Sequence, residues 1–419
     1  MTARFSWNER NTRGHRPRLQ NQTSTNQMLA GLLLGTALGL VFGERMTAFR
    51  VLGDLFITLL QMAAIPLIFF NIITAVAKLP DFSIMRRIGA MIMAYYISTM
   101  ACAAAIGVTV MSLLKVGAGF RLGNVKAPET NAMPAWSQVI LDMFPRNAVA
   151  AFSNGKLLQV VIFALFIGIT IVFLGPEDKT KLTGFFEAFN NLFRRMIILV
   201  MKYGPIGVTF LMAASVGAYK SSFLGPVGKY VIAVYAADLL QFGVVYVLFV
   251  ALVLRGSPWR LFGQSLPVIA TAASTCSSLA TLPECMRVAE EMKIPEPVYG
   301  VTLPLGAAFN KDGTTLVFTA VLTFALNALG LPLTGATIFM MILMATLVSL
   351  GGEGIPMAGV VQLTILLPAF GLPVEFAALF AGIWRITEMP MVALNCIGDL
   401  IGTWTVHRFL ERGLKPATT

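Results

Sequence analysis

Apolar residues are gathered into eight blocks along this chain, at roughly 28–43, 48–79, 87–116, 157–174, 193–218, 226–254, 297–328 and 373–409. Crossing a hydrocarbon core takes about 20 helical residues. The blocks that exceed this length imply tilted helices, or helices that run on past the bilayer. Two polar connectors lie in the first half: 117–155, dotted with Pro and Gly, and the amphipathic 175–192 (GPEDKTKLTGFFEAFNNL). The pattern predicts an all-α polytopic membrane protein with eight transmembrane helices.

The second half follows a different plan. Residues 258–294 contain LPVIATAASTCSSLATLPECMRVAEEMK: an apolar arm, a run of small hydroxyl residues, a Pro and a second arm. Residues 335–369 repeat this as GATIFMMILMATLVSLGGEGIPMAGVVQLTILLPAF. Each arm is too short to span. Irregular backbone at membrane depth survives only when buried in protein or facing a water-filled cavity, so both segments are expected to be re-entrant hairpins. Each is followed by a span with polar residues at its middle, Asn310-Lys-Asp-Gly-Thr314 after the first and Glu388 through Asp399 after the second. Paired interrupted segments in corresponding positions point to a transporter site at the bilayer midplane.

The residue types at these midpoints suit a cation. Gly313 allows the helix to break, and a broken helix exposes unpaired carbonyls. With the Asp312 carboxylate and the Asn310 amide oxygen, these make a set of hard oxygen ligands. In the last span Glu388, Val392, Asn395 and Asp399 follow spacings that put them on one helical face. Asp399 brought against Asp312 would be costly at bilayer depth unless a cation or proton joined the two carboxylates. The competing reading makes these residues polar helix-packing contacts.

Composition closes off other classes. The chain is 57% hydrophobic and only 12% charged, with a mean hydropathy of +0.77. Five arginines (Arg4, Arg10, Arg13, Arg16, Arg18) face one acid in the first twenty residues, so the N-terminus is expected on the cytoplasmic side of the plasma (inner) membrane. The net charge of +11 fits basic loops beside anionic lipid rather than nucleic-acid binding. The four cysteines show no metal-ligand spacing, and the only histidines, His15 and His407, lie near the chain ends. Histidine-based catalysis has no residues to work with, so the chain is not expected to be an enzyme. An intramembrane hydrolase using Ser277, Ser278 or Cys276 would need Lys311 as its base.

These motifs carry a resemblance. NKDGT at 310–314 resembles the N-x-D-G-T signature of the dicarboxylate/amino acid:cation symporter family, which includes glutamate and aspartate transporters. SSLATLP resembles that family's first hairpin tip, GEGIPMAG its second, and ALNCIGD the end of its last-span motif, all in order between Met28 and about His407. The resemblance implies a glutamate-transporter-like fold, eight helices and two re-entrant hairpins with inverted repeats, in a homotrimer. Residues 28–86 and 117–225 would form mainly the scaffold, and 87–116 and 226–410 mainly a transport domain moving like an elevator, with 1–27 a basic arm and 411–419 a tail. It implies no organic cofactor and a coupling cation, sodium or proton. Tyr96, Thr99, Gly306, Asn310, Lys311, Asp312, Ser349, Asn395 and Asp399 match cation-holding or cation-mimicking positions. Sodium itself would sit at Asn310, Asp312, Asn395 and Asp399. Cys276, Ser277, Ser278, Thr314, Ile355, Gly359, Arg385, Glu388, Met391, Val392 and Asn395 match the substrate site, with Glu388 receiving an amino group.

Several positions depart from that pattern. Met391 stands where acidic-substrate members carry arginine, and Trp384 where they carry the acid that braces it. A thioether offers no bidentate fork to a carboxylate. A small amino acid or related carboxylate with a neutral distal end is therefore the expected substrate. The alternative is a sodium-coupled dicarboxylate carrier using Arg385, whose guanidinium otherwise pairs with Glu388 or snorkels. Lys311 replaces a common methionine. A buried ammonium must find a partner, with Asp312, Asp399 and Glu353 as candidates, and it would act as a tethered cation in place of one sodium. Met100, where a hydroxyl is common, weakens a sodium site further. Asp238 is another intramembrane acid, a proton relay or a structural hydrogen-bonding group. A different class, a substrate-independent ion (anion) channel, would show ohmic current without substrate.

Overall fold

A computed structural model of the chain describes residues 17–78, 83–120, 141, 144–219, 221–350 and 358–414. The described residues are helical, without strands. α1 (Pro17–Phe42) passes through a tight 3-10 turn (Gly43–Phe49) into α2 (Arg50–Ala77), followed by α3 (Ser83–Leu113). After the short α4 (Ala148–Ser153) come α5 (Leu157–Val172), α6 (Pro176–Met201), α7 (Gly204–Tyr219) and α8 (Ser221–Leu240). α8 runs on through two wider π-type segments, Gln241–Val247 and Phe249–Val253.

Two helical hairpins then appear where the sequence places them. α9 (Pro258–Thr275) and α10 (Ser278–Glu291) form the first, α13 (Gly335–Ser349) and α14 (Ala358–Ala369) the second. Between them the predicted span is split into α11 (Glu296–Phe309) and α12 (Asp312–Leu329), and the chain closes with α15 (Glu375–Leu414). The tip of the second hairpin, residues 351–357, lies outside the described residues, and Glu353 and Ile355 with it.

Among the described residues, five stretches are long and apolar enough to cross a bilayer: Leu33–Ala77, Ile88–Leu113, Gly225–Val253, Glu296–Leu329 and Glu375–Glu411. They correspond to six of the eight predicted blocks, because the first stretch takes in two. The other two blocks are helical but are not single long helices. The block at 157–174 forms a helix of only 16 residues. The block at 193–218 is not one helix: Pro176–Met201 and the helix from Gly204 meet at a bend of 56°. The connector 175–192 is thus mostly the first part of α6, and Pro205, which has no amide to give to the Met201 carbonyl, prevents the helix from running straight through Lys202 and Tyr203. The predicted arm 1–27 is also partly helical, because α1 starts at Pro17.

Helices α1, α2, α5, α6 and α7 pack largely among themselves, whereas α3 and the elements from α8 onward gather round the broken helix. α12 is central: every residue from Asp312 to Leu326 is buried, as expected of a helix that is apolar all round. Phe324 anchors it, meeting Tyr230, Phe376 and Phe380 edge-on at 5.8, 6.2 and 5.2 Å.

Candidate cation and substrate site

The break between α11 and α12 is held by α15. Asn310 leaves the helix with extended backbone, and its Nδ2 donates to the Asn395 carbonyl at 3.0 Å and to Asp399 Oδ1 at 2.9 Å. Asn395 Oδ1 accepts from the Gly313 amide at 2.8 Å, and its Nδ2 donates to the Thr314 hydroxyl at 3.3 Å. Three residues of the NKDGT stretch, Asn310, Gly313 and Thr314, are therefore read by Asn395 and Asp399, which lie one turn apart. The approach is close: a Cβ on Gly306 would lie 2.5 Å from both Asp399 Oδ1 and the Tyr96 hydroxyl.

The cluster leaves buried acceptors unused. Asn310 Oδ1 and Asp312 Oδ1 have no hydrogen-bond partner, and both residues are fully buried. Unmatched oxygens at such depth are expensive, and an amide and a carboxylate oxygen suit a hard cation. Tyr96 donates to the Thr302 carbonyl at 3.1 Å, and Thr99 to the Tyr96 carbonyl at 3.2 Å. Ser349 joins α13 to α12 by accepting from the Thr315 hydroxyl at 3.1 Å.

Lys311 sits inside this cluster at 7% exposure. Its ammonium turns to the Ala307 carbonyl at 2.6 Å, not to Asp312 or Asp399, and among the described residues it joins no ion pair. Ala307 lies four residues back, so this is the carbonyl that the Lys311 amide would bond in an unbroken helix. That amide instead meets Met100 Sδ at 3.4 Å. The two departures in the cation-site motif are neighbours: the thioether caps the amide while the side chain caps the carbonyl.

Nearer the start of α15, Arg385 Nη1 pairs with Glu388 Oε2 at 3.2 Å, and Nη2 donates to the Ser274 carbonyl of the first hairpin at 3.4 Å. The guanidinium is engaged as the salt-bridge reading expects. Met391 and Val392 are buried. The Trp384 indole lies directly against Gly359, and a Cβ there would collide with the ring. At the first hairpin tip, Cys276 takes a left-handed conformation (φ 47°), and Ser277 Oγ caps α10 by accepting from the Ala280 amide at 3.3 Å. Ser278 begins α10.

Three residues of α8 complete the arrangement and were missed by the sequence reading, which singled out only Asp238 in that span. Tyr246 donates to Asp312 Oδ2 in a short hydrogen bond, and lies 3.2 Å from the Leu394 carbonyl. Gln241 Nε2 donates to the Thr99 carbonyl at 3.3 Å. Tyr235 donates to the Ile386 carbonyl at 2.9 Å, which lies four residues before Pro390 and so lacks a helix amide. Buried Tyr and Gln in an apolar span were the available signal. Asp238 makes no hydrogen bond to the cluster.

Comparison with known proteins places the chain in a family. The family model described as the sodium:dicarboxylate symporter family matches residues 25–409. The chain belongs to that family. It is 29% identical to the neutral amino acid transporter B(0) of Rattus norvegicus, an alignment covering 93% of this chain and 80% of the rat protein. The C4-dicarboxylate transport protein of Bacillus subtilis is 27% identical (92% and 93% covered), as is the proton/glutamate-aspartate symporter of Escherichia coli (91% of each). Members are transporters, not enzymes, so the chain is a multi-pass membrane protein of a cation-coupled symporter family.

Proposed function

We propose that this protein is a secondary active symporter for a small amino acid or related carboxylate with a neutral distal group, in which Lys311 stands in for one coupling cation. The observation that carries the reading is the Lys311 ammonium on the Ala307 carbonyl at 2.6 Å, beside the unpartnered oxygens of Asn310 and Asp312. A fixed positive charge in an oxygen-lined break does for the site what a bound sodium would do, so binding becomes less dependent on sodium, leaving sodium or a proton for any remaining coupling. The neutral-substrate assignment rests on Met391 and on Arg385, whose fork is taken by Glu388 and Ser274. The Trp384 indole against Gly359 further narrows the room for a second carboxylate.

The carrier works by exchanging the two sides of the membrane around this site. The separate packing of α1, α2, α5, α6 and α7 supports a scaffold, and the packing of α3 and α8 to α15 round the break supports a mobile transport domain with two re-entrant hairpins. Assembly as a homotrimer in the plasma (inner) membrane, N-terminus inside, completes the proposal. Its test is a thermal-shift screen of the purified protein with L-alanine, L-serine, L-glutamate, L-aspartate and succinate, each in sodium chloride and in choline chloride. Stabilisation follows ligand mass action. The reading expects a shift from a neutral amino acid in both salts. Shifts from the dicarboxylates alone, or only with sodium, would overturn it and favour the dicarboxylate alternative through Arg385.

A further inference from the structure

Asp238 lies in α8, one turn before Gln241, and is used by nothing described so far. It is 6% exposed, and neither carboxylate oxygen has a hydrogen-bond partner. An ionised carboxylate can only accept, and its surroundings give it nothing to accept from. The amides of a continuous helix are committed to the carbonyls behind them. Gln241, the nearest buried polar side chain along the helix, has given its amide nitrogen to the Thr99 carbonyl, and its Oε1 is itself an unpartnered acceptor.

Among the described residues, no cation pairs with it either. Asp238 acts electrostatically on Tyr230 and Tyr235 of its own helix, and the Tyr230 hydroxyl does not bond it. Tyr235 is turned to the Ile386 carbonyl. On the helices packed against α8, the described titratable or charged side chains are Tyr95, Tyr96 and Cys102 of α3, Asp312 of α12, and Glu375, Arg385, Glu388, Cys396, Asp399, His407, Arg408 and Glu411 of α15, and none of them bonds to it. α7 brings no titratable group among its described side chains.

We infer that Asp238 is a proton-binding site, separate from the cation cluster at the broken helix. A proton converts the side chain from an acceptor without donors into a donor. It can then bond the carbonyl one turn back, as Ser98 and Thr109 do on α3 at 2.7 Å. Release of the proton restores a charge that this environment cannot hold, so occupancy of the site and the arrangement of the helices around it are linked. The arm of the test that uses transport rests on the carrier reading; the spectroscopic arm does not.

Infrared difference spectroscopy of the purified wild type against Asp238→Asn reads the site directly. A carbonyl band of a protonated carboxylic acid is expected in the wild type at neutral pH, shifting in D2O, lost reversibly at alkaline pH, absent from D238N and retained in Asp238→Glu. Absence of the band in wild type, or a band that neither exchanges nor titrates, overturns the inference. In proteoliposomes given tritiated L-alanine, a proton-coupled wild type accumulates up to about ten-fold more per pH unit of inward gradient. D238N keeps exchange but loses that response. A D238N protein still driven by the gradient overturns the coupling role. Failure of both proteins to take up L-alanine counts against the carrier reading and leaves the infrared result to decide the site.

Discussion

Replacing Lys311 by methionine separates a tethered cation from a packing residue. In the native site the ammonium gives a charge-assisted hydrogen bond to the Ala307 carbonyl, worth about 1.5–3 kcal/mol. It also sits at the C-terminal end of α11, where a positive charge gains about 0.3–1 kcal/mol. Against this stands a desolvation cost of several kcal/mol for burying the charge. The terms nearly cancel, so Lys311→Met leaves the fold intact. The charge balance does not cancel. The variant leaves the Ala307 carbonyl without a donor, next to the unpartnered oxygens of Asn310 and Asp312, and one positive charge short. Sodium is expected to fill that deficit. At a sodium concentration of about 100 times its dissociation constant, linkage stabilises by about 2.7 kcal/mol. With about 2.1 cal/mol/K of unfolding entropy per residue over 419 residues, this is a rise in Tm of about 3 °C. Thermal unfolding in sodium chloride against choline chloride measures it. Lys311→Met should show a larger sodium-specific shift than wild type. Equal responses in the two proteins, whether both shift or neither does, refute the reasoning.

Other contacts give sharper structural tests. Asn395→Ala strands the Gly313 amide and frees the Thr314 hydroxyl; about 2–4 kcal/mol of stability should go, by thermal unfolding, together with ligand-induced shifts. Tyr246→Phe removes the hydroxyl from Asp312 and should cost about 1.5–3 kcal/mol and alter cation affinity, read by titrating the melting point with sodium and with acid. Gly359→Ala drives a methyl into the Trp384 indole and should cost about 1–3 kcal/mol. Trp384→Leu in the same chain should return most of that loss, and a double-mutant cycle measures the coupling.

Much of the site was legible without coordinates because its parts are local in sequence. Asn310, Asp312, Gly313 and Thr314 stand in one short stretch, and Glu388, Asn395 and Asp399 follow helical spacing in another. The residues contributed by α8 were not legible in this way. Tyr246 and Gln241 fall more than sixty residues before Asp312, and only the packing of the widened α8 against α3 and α15 brings them to it. The hydrogen bond from Lys311 to Ala307 was not legible either, and of the three candidate carboxylates Glu353 lies outside the described residues. Charge counting proposes a carboxylate, but the break frees a carbonyl four residues back, and a flexible stem reaches it first.

The chain by itself determined that this is an all-helical membrane protein, that its second half holds two hairpins, and that two polar midpoints belong together. These follow from hydropathy and spacing, which are properties of neighbouring residues. Where helices bend, as between Met201 and Gly204, and how far a helix runs beyond its apolar block were decided by proline position and packing. Which acceptors are left without donors was decided only by the tertiary structure. A hydrogen bond is satisfied or stranded by what lies across the helix interface, and no local pattern records that. The unpartnered oxygens of Asn310, Asp312 and Asp238 came to light only there.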